Sequence, residues 1–370
     1  MTNGQTEVEG TPEESITERP AVHLVGRTLE GGWRVTRRYD PPPGSTGGAF
    51  SVGYLAERDN LNLESGIELA FVKALDYYRW REIDASQVVA LNIMTEAFLF
   101  ERNVVAECAG RRMTNVVRGK GHGSETMGGG GGLDQVDYLI LELADGDVRS
   151  RLDASAHLDA AWALRVLHNV ANGLRQLHSA GISHQDLKPS NVLMFPEVTK
   201  VGDLGRSHWQ DRESPHDGLA TPGDPSYSPP ECQYGYDDPN QVMRARAADA
   251  YHLGSMIVFM FTKVSMTSSW IVNLDVNLRP SAWGGSFVDV LPHVREAFND
   301  ALDDFAVALP EECREDLLLL VRELCDPDPS IRGNPRAGQR TGNRYSMETY
   351  VSRLDLLASR ANLRLKRSLQ

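Results

Sequence analysis

Residues 184–191 read His-Gln-Asp-Leu-Lys-Pro-Ser-Asn, and this stretch restricts what the chain can become more than any other. Asp186, Lys188 and Asn191 place a carboxylate, an ammonium and an amide within six residues. Such a set suits movement of a phosphoryl group. The carboxylate can orient a hydroxyl and accept its proton, the ammonium can meet charge on the phosphate, and the amide oxygen can hold a metal ion. Groups so close together need a rigid support. Leu164, Leu167, Val170, Leu174 and Leu177 recur every three or four residues just upstream, the pattern of a helix with one apolar face that delivers the loop. Downstream, strand-like residues 192–194 and 198–201 lead to Asp203-Leu204-Gly205, which brings a second carboxylate.

At 370 residues and 41% hydrophobic content the chain can bury a large core, as one domain of two lobes or as two domains. Net charge is −13 and no dense Lys/Arg patch interleaves with aromatics, which argues against nucleic acid as a partner. Cys108, Cys232, Cys313 and Cys325 lack paired C-x-x-C spacing and follow no signal peptide, so free thiols in a reducing compartment are expected. Apolar runs such as 257–261 are too short to cross a bilayer, and no lipidation signal occurs. The expectation is a soluble, cytoplasmic chain with no membrane partner. Residues 1–20, with five glutamates and almost no apolar side chains, read as a disordered acidic tail.

The 184–191 stretch resembles the catalytic loop of protein kinases, H-R-D-L-K-x-x-N, and departs from it only at Gln185, where the family has arginine. Lysine two residues after the aspartate is the form of the Ser/Thr branch, so the resemblance implies serine or threonine acceptors on a protein substrate. Other kinase features follow in family order. The Pro/Gly-rich stretch 41–51 resembles the glycine-rich loop, with Gly48 as its middle glycine and Phe50 as its tip aromatic. Thr46 and Ser51 stand where the outer glycines usually are, and a Gly/Pro-rich hairpin turn alone also explains these residues. Ala70-Phe71-Val72-Lys73 resembles the V-A-I-K strand, which implies that Lys73 meets the α- and β-phosphates of ATP. Residues 84–112 read as a helix with Val88, Leu91, Phe98, Val105 and Cys108 on one side. The resemblance asks this helix for a glutamate that pairs with Lys73; Glu101 fits, with Glu96 as the alternative. Residues 115–117 and 138–143 read as strands, and between them Gly121, His122, Gly123 and the glycine run 128–132 read as a flexible hairpin insertion. By resemblance Leu141 is the gatekeeper, Glu142 and Leu143 form the hinge that meets adenine through backbone groups, and Asp147 contacts the ribose. Asp203 would hold Mg²⁺ between the β- and γ-phosphates, with Asn191 on a second Mg²⁺.

Residues 223–231 resemble the end of a kinase activation segment, with Pro230-Glu231 matching its last two positions. Residues 249–254 resemble the helix that anchors the catalytic loop, and Arg332 matches the arginine that pairs with Glu231. Two departures bear on mechanism. Gln185 cannot pair with a phosphate on the activation segment, which predicts activity without that modification even though Ser207, Ser214, Thr221, Ser226 and Ser228 are present. Asp224 stands where a threonine usually bridges the catalytic Asp and Lys, so it can either hold Lys188 or partly cancel its charge. Residues 263–310 match no motif and read as helices packing the larger lobe, with a substrate or partner surface as the alternative.

The resemblance implies an α+β, bilobal protein-kinase-like fold, with a small β-rich lobe at 21–143 carrying one main helix and a larger helical lobe at 144–345. Residues 346–370 read as a closing helix. The implied function is ATP- and Mg²⁺-dependent serine/threonine protein kinase, with a separate regulatory protein partner possible. A pseudokinase scaffold is the main alternative, on the worn glycine loop, Gln185 and Asp224; a small-molecule phosphotransferase of related fold is the other.

Overall fold

The computed structural model describes residues 19–40, 50–127, 133–155, 157–236 and 239–368. Gly48, Thr46, the glycine run 128–132 and positions 1–18 of the acidic tail lie outside the described residues. The chain divides into two compact units: Met1–Met94 with Lys120–Leu143, and Thr95–Gly119 with Ala144–Gln370.

The first unit is built on strands β1 (Thr28–Leu29), β2 (Trp33–Arg38), β3 (Ser51–Asp59), β4 (Ile67–Leu75), β5 (Gly119–Thr126) and β6 (Gln135–Glu142). They form one sheet in the order β1-β2-β3-β4-β6-β5. Because side chains alternate across a strand, Val52, Tyr54 and Ala56 of β3 and Ala70, Val72 and Ala74 of β4 share one face, and all are buried. Trp33, Leu24, Val136 and Tyr138 complete that core. Strand β5 corrects the expectation of a flexible insertion around Gly121 and Gly123. Gly123 makes room rather than slack, since a Cβ there would sit 2.4 Å from the Tyr138 hydroxyl, whereas one on Gly121 would meet Ile140 in ordinary contact at 3.7 Å.

Helix α1 (Gln87–Gly110) spans the division of the chain at Met94. Its buried stripe is Ala90, Met94, Phe100, Glu101, Val104, Val105 and Cys108, whereas Val88, expected to be inward, is 78% exposed. Residues 115–117 make no strand of their own. They are pinned by one parallel bridge from Val116 to Val201, and Asn172 donates to the Asn115 side chain at 2.6 Å.

The second unit is mostly helical. Strand β7 (Gly146–Asp147) leads to α2 (Val148–Ala154) and α3 (Ala160–Ser179), then to β8 (Ile182–Ser183), β9 (Val192–Met194), β10 (Thr199–Val201) and β11 (His208–Trp209). Helices α4 (Pro230–Gln233), α5 (Gln241–Thr262), α6 (Met266–Asn273), α7 (Phe287–Ala308), α8 (Arg314–Cys325), α9 (Pro335–Thr341) and α10 (Glu348–Ser368) follow. Asp159 caps α3 by accepting the Ala161 and Trp162 N–H groups, and the leucine stripe behind it is buried. Asn240 caps α5, whose residues are buried continuously from Ala247 to Met260. Gly254 lets side chains of α8 pack against the α5 backbone, since a Cβ there would lie 2.4 Å from Cys325 Sγ and 2.8 Å from Leu324 Cβ. All four cysteines are free and buried. Among the described residues no single helix is long and apolar enough to cross a membrane.

Arg332 ties distant parts of this unit together. Its guanidinium donates to both Glu231 carboxylate oxygens at 2.6 and 2.7 Å, and also to the Ala247 and Asp326 carbonyls. Arg332 has no exposed surface, so the pair is fully desolvated and its worth lies in what breaking it leaves behind. Arg332→Met is expected to cost roughly 3–5 kcal/mol by stranding the Glu231 charge. Urea unfolding measures this directly, and a loss under about 1 kcal/mol would show that Glu231 finds water or another donor.

Candidate active site

The catalytic-loop backbone is set by Asp249, in the first half of α5. Its carboxylate is completely buried and accepts the His184 N–H at 2.8 Å, the Gln185 N–H at 2.8 Å and the His178 ring at 2.7 Å. Burial opposes this charge, but the His178 ring and the Gln185 N–H outweigh it and hold the carboxyl below the ordinary aspartate range. Gln185 takes a left-handed φ of 61°, a conformation unusual for a side-chain-bearing residue, and two charge-assisted bonds hold the turn there.

That turn presents Asp186 to a ring of partners. Asp186 Oδ1 accepts the Asp224 N–H at 2.8 Å, and Oδ2 lies 3.2 Å from Asn191 Nδ2 and 3.3 Å from Lys188 Nζ. Asn191 Nδ2 also donates to the Asp186 carbonyl at 2.8 Å, which leaves its amide oxygen to coordinate. Burial raises the Asp186 pKa above the ordinary aspartate value; the Lys188 charge opposes the rise and the Asp203 charge adds to it. Lys188 is shared, with Asp224 Oδ2 at 3.4 Å. Burial would raise the Asp224 carboxyl as well, yet the Ser226 N–H and Lys188 hold it low.

Asp203 is placed through the residue before it. The Gly202 carbonyl accepts from His184 Nε2 at 3.0 Å, and its N–H donates to the Asn191 carbonyl at 2.8 Å. The loop carrying Asp186 thus also positions Asp203, whose φ of 57° is again left-handed. Glu101 of α1 lies buried in the same unit, its carboxyl carbon 3.5 Å from where a Gly205 Cβ would be; Glu96 is exposed.

Residues 223–228 are held against the loop from several sides. A side chain at Gly223 would meet the Gln185 carbonyl at 2.5 Å and Asp186 Oδ1 at 2.7 Å. From α6 and its cap, Ser265 donates to the Ser226 carbonyl at 2.6 Å and Thr267 to the Ser228 carbonyl at 2.9 Å. The stretch without a motif therefore braces the site. The serine before α6 is legible as a helix cap, but its bond to Ser226 has no sequence signal.

Of the other expected site residues, Phe50, Lys73, Leu141, Glu142 and Leu143 belong to the first unit and Asp147 to the second. Lys73 sits half-buried in β4, opposite Gly53 and Leu139 in neighbouring strands of the first unit. Leu141 and Glu142 end β6 opposite Phe71 and Ala70, and Leu143 follows. Phe50 precedes β3, its carbonyl accepting the Asp76 N–H at 2.9 Å. Asp147 caps α2, accepting both the Ser150 N–H and hydroxyl at 2.8 Å.

This loop is clamped from a buried aspartate and followed by Gly202-Asp203, and the protein kinase domain family matches residues 84–340. The chain belongs to that family. It is 34% identical over 144 residues to the serine/threonine-protein kinase PTK1/STK1 of Saccharomyces cerevisiae, covering 34% of this chain and 21% of that one. It is 28% identical over 200 residues to CBL-interacting protein kinase 26 of Oryza sativa subsp. japonica, covering 53% and 34%. Against the serine/threonine-protein kinase PknA of Mycobacterium tuberculosis, identity is 28% over 177 residues, covering 47% and 36%. The matched stretches thus span about a fifth to a third of these relatives' lengths.

Behind the loop, His252 is completely buried and its pKa is pushed down to about 4, by burial first, against the pull of Asp249. Below about pH 6.5 an unfolded chain takes up a proton that this folded site refuses. Stability from His252 is therefore present above that pH and lost as pH falls toward 4. In His252→Leu the loss of stability between pH 6.5 and 4 should be shallower by on the order of 3 kcal/mol. Urea titrations across that range check it, and parallel curves for the two proteins would count against a buried neutral imidazole.

Proposed function

We propose that this chain is an ATP- and Mg²⁺-dependent protein kinase acting on serine and threonine hydroxyls. The observation that carries the reading is the Asp186 carboxylate, buried yet held by Lys188, Asn191 and the Asp224 N–H. In this reading Asp186 orients the acceptor hydroxyl and takes its proton while Lys188 meets the negative charge of the transferring group. The donor set fits a hard cation: an amide oxygen from Asn191 and a carboxylate from Asp203 suit Mg²⁺, which usually takes one or two protein carboxylates and fills its remaining positions with water and phosphate oxygens. When bound, the ion would neutralise charge on the nucleotide. Lys73 is assigned to the α- and β-phosphates, and Glu101, buried where Glu96 is exposed, is preferred as the glutamate of α1. Leu141, Glu142 and Leu143 are assigned to adenine, and Phe50 and Gly48 to the phosphate loop. Asp147 is already engaged as a helix cap, and its ribose role requires that it serve both. The neutral Gln185 supports activity without activation-segment phosphate. The rice relative is named for interacting with CBL, and a regulatory protein partner is part of this reading for the present chain as well.

Transfer of γ-phosphate from ATP to a basic Ser/Thr-rich test protein is expected from wild type and should fall by at least about a thousandfold in Asp186→Asn, with phosphoserine or phosphothreonine found by mass spectrometry. Equal transfer by both proteins would refute the assignment of Asp186. Because burial raises the Asp186 pKa and the ionised form does the work, the acid limb of kcat/KM should lie above the ordinary value of about 3.9. A limb at or below it would place the proton acceptor elsewhere.

One observation favours a pseudokinase: Lys188 is shared between two carboxylates, at 3.3 and 3.4 Å, so part of its charge is already met. Asp224→Thr separates the readings. A collapse of turnover assigns Asp224 to holding Lys188, whereas transfer appearing only in the variant marks the native chain as suppressed.

A further inference from the structure

The segment after Asp203 carries a set of contacts that the phosphotransfer chemistry does not use. Arg206 donates to His216 Nδ1 at 3.1 Å, since a guanidinium has no acceptor, and the ring also hydrogen-bonds the Gly205 backbone. Burial, and after it the Arg206 charge, keep His216 neutral and push its pKa down to about 4, against the pull of the Gly205 bond. Beside it, the His208 ring bonds Asp217 Oδ1 at 2.8 Å, while Asp217 Oδ2 accepts the Ser214 N–H at 3.1 Å. The Asp217 carbonyl is gripped from α5 by Arg244 at 3.0 Å and Gln241 at 3.3 Å. The Ser214 hydroxyl closes the loop on the Ser207 carbonyl at 2.9 Å.

Two of the residues in these contacts adjoin those that carry the chemistry. His208 lies opposite Ser183 in the β8–β11 pair, one residue before His184, and Gly205 lies two residues after Asp203. Helix α5 carries both ends of the arrangement: Asp249 clamps the catalytic loop, and Arg244 and Gln241 clamp Asp217.

Resting on the kinase reading, we propose that Arg206–His216 and His208–Asp217 do in this chain the work of an activation-segment phosphate. They fix the stretch 204–217 to α5 and to the catalytic loop, and His208, His216 and Asp217 are positioning residues for Asp203. A phosphate orders such a segment by giving it an anion to pair with the arginine before the catalytic aspartate. Here that position is Gln185, and the anion is supplied from within the segment by Asp217, whose donors are a histidine and backbone. The Arg206 guanidinium, three residues after Asp203, is held by His216 and not by that anion. No chemical modification is needed for either pair to form.

The test uses the full chain, phosphatase-treated and verified phosphate-free by intact mass. Wild type is compared with His216→Ala and with His216→Gln, whose amide can still accept from Arg206. Amide hydrogen exchange over 203–217 and the separate kcat and KM for ATP are read, with thermal melts confirming that all three fold. Dephosphorylated wild type should keep 203–217 protected and keep its turnover within about twofold. His216→Ala should exchange there about tenfold faster and lose about tenfold in kcat with KM for ATP little changed, and His216→Gln should recover most of both. Unchanged exchange in His216→Ala, or loss of wild-type protection on dephosphorylation, overturns the proposal. If the exchange contrast appears while wild type transfers no phosphate at all, the tether stands and the kinase reading falls.

Discussion

The arrangement of the site depends on one buried charge. Asp249 has no exposed surface and lies at the centre of three donors, two of them successive backbone N–H groups of the catalytic loop. An aspartate in that position can be tolerated only while every donor is in place, because an unpaired buried carboxylate is costly. The clamp is therefore close to all-or-none. Its consequence is that Gln185 is held at positive φ and Asp186 is presented in one orientation. The same loop then fixes Gly202, and with it Asp203.

A second principle is that the working groups hold one another. Asp186, Lys188, Asn191 and Asp224 form a closed set in which each side chain restricts its neighbour. Such a set lowers the reorganisation required when a substrate arrives, which is where enzymes gain most from rigid polar surroundings. It also makes Asp224 double-edged: the carboxylate that orders Lys188 also satisfies part of its charge.

What the sequence made legible was local. Asp186, Lys188, Asn191 and Asp203 lie within eighteen residues, and chemistry concentrated in so short a stretch can be read without knowing the fold. Glu231 and Arg332 are far apart in sequence and were legible only through family resemblance; the buried bidentate pair they form is a tertiary fact. The bracing of residues 226 and 228 by Ser265 and Thr267 was invisible, because a hydroxyl bonding a distant carbonyl leaves no periodic trace. Gly123 misled for a physical reason: glycine marks either freedom or close approach, and the Tyr138 ring that decides between them comes from another strand. For α1, the buried stripe lies partly away from the residues that hydropathy alone selects, since apolar side chains occur on more than one side of that helix.

Gly254 gives the second unit a mechanical property. With no side chain of its own at that point, α5 receives the Cys325 Sγ and Leu324 Cβ of α8 against its backbone, and a single added methyl would collide with both. Asp249 lies little more than one turn before this contact, and Arg332 lies seven residues beyond Cys325. The approach of the two helices is thus limited at this point by a thiol and a Cβ, both short groups, meeting bare backbone, and the anchor of the catalytic loop lies close to that contact. A displacement of α8 toward α5 would press on backbone here, little more than one turn from Asp249, where a long side chain in place of Gly254 could change rotamer instead.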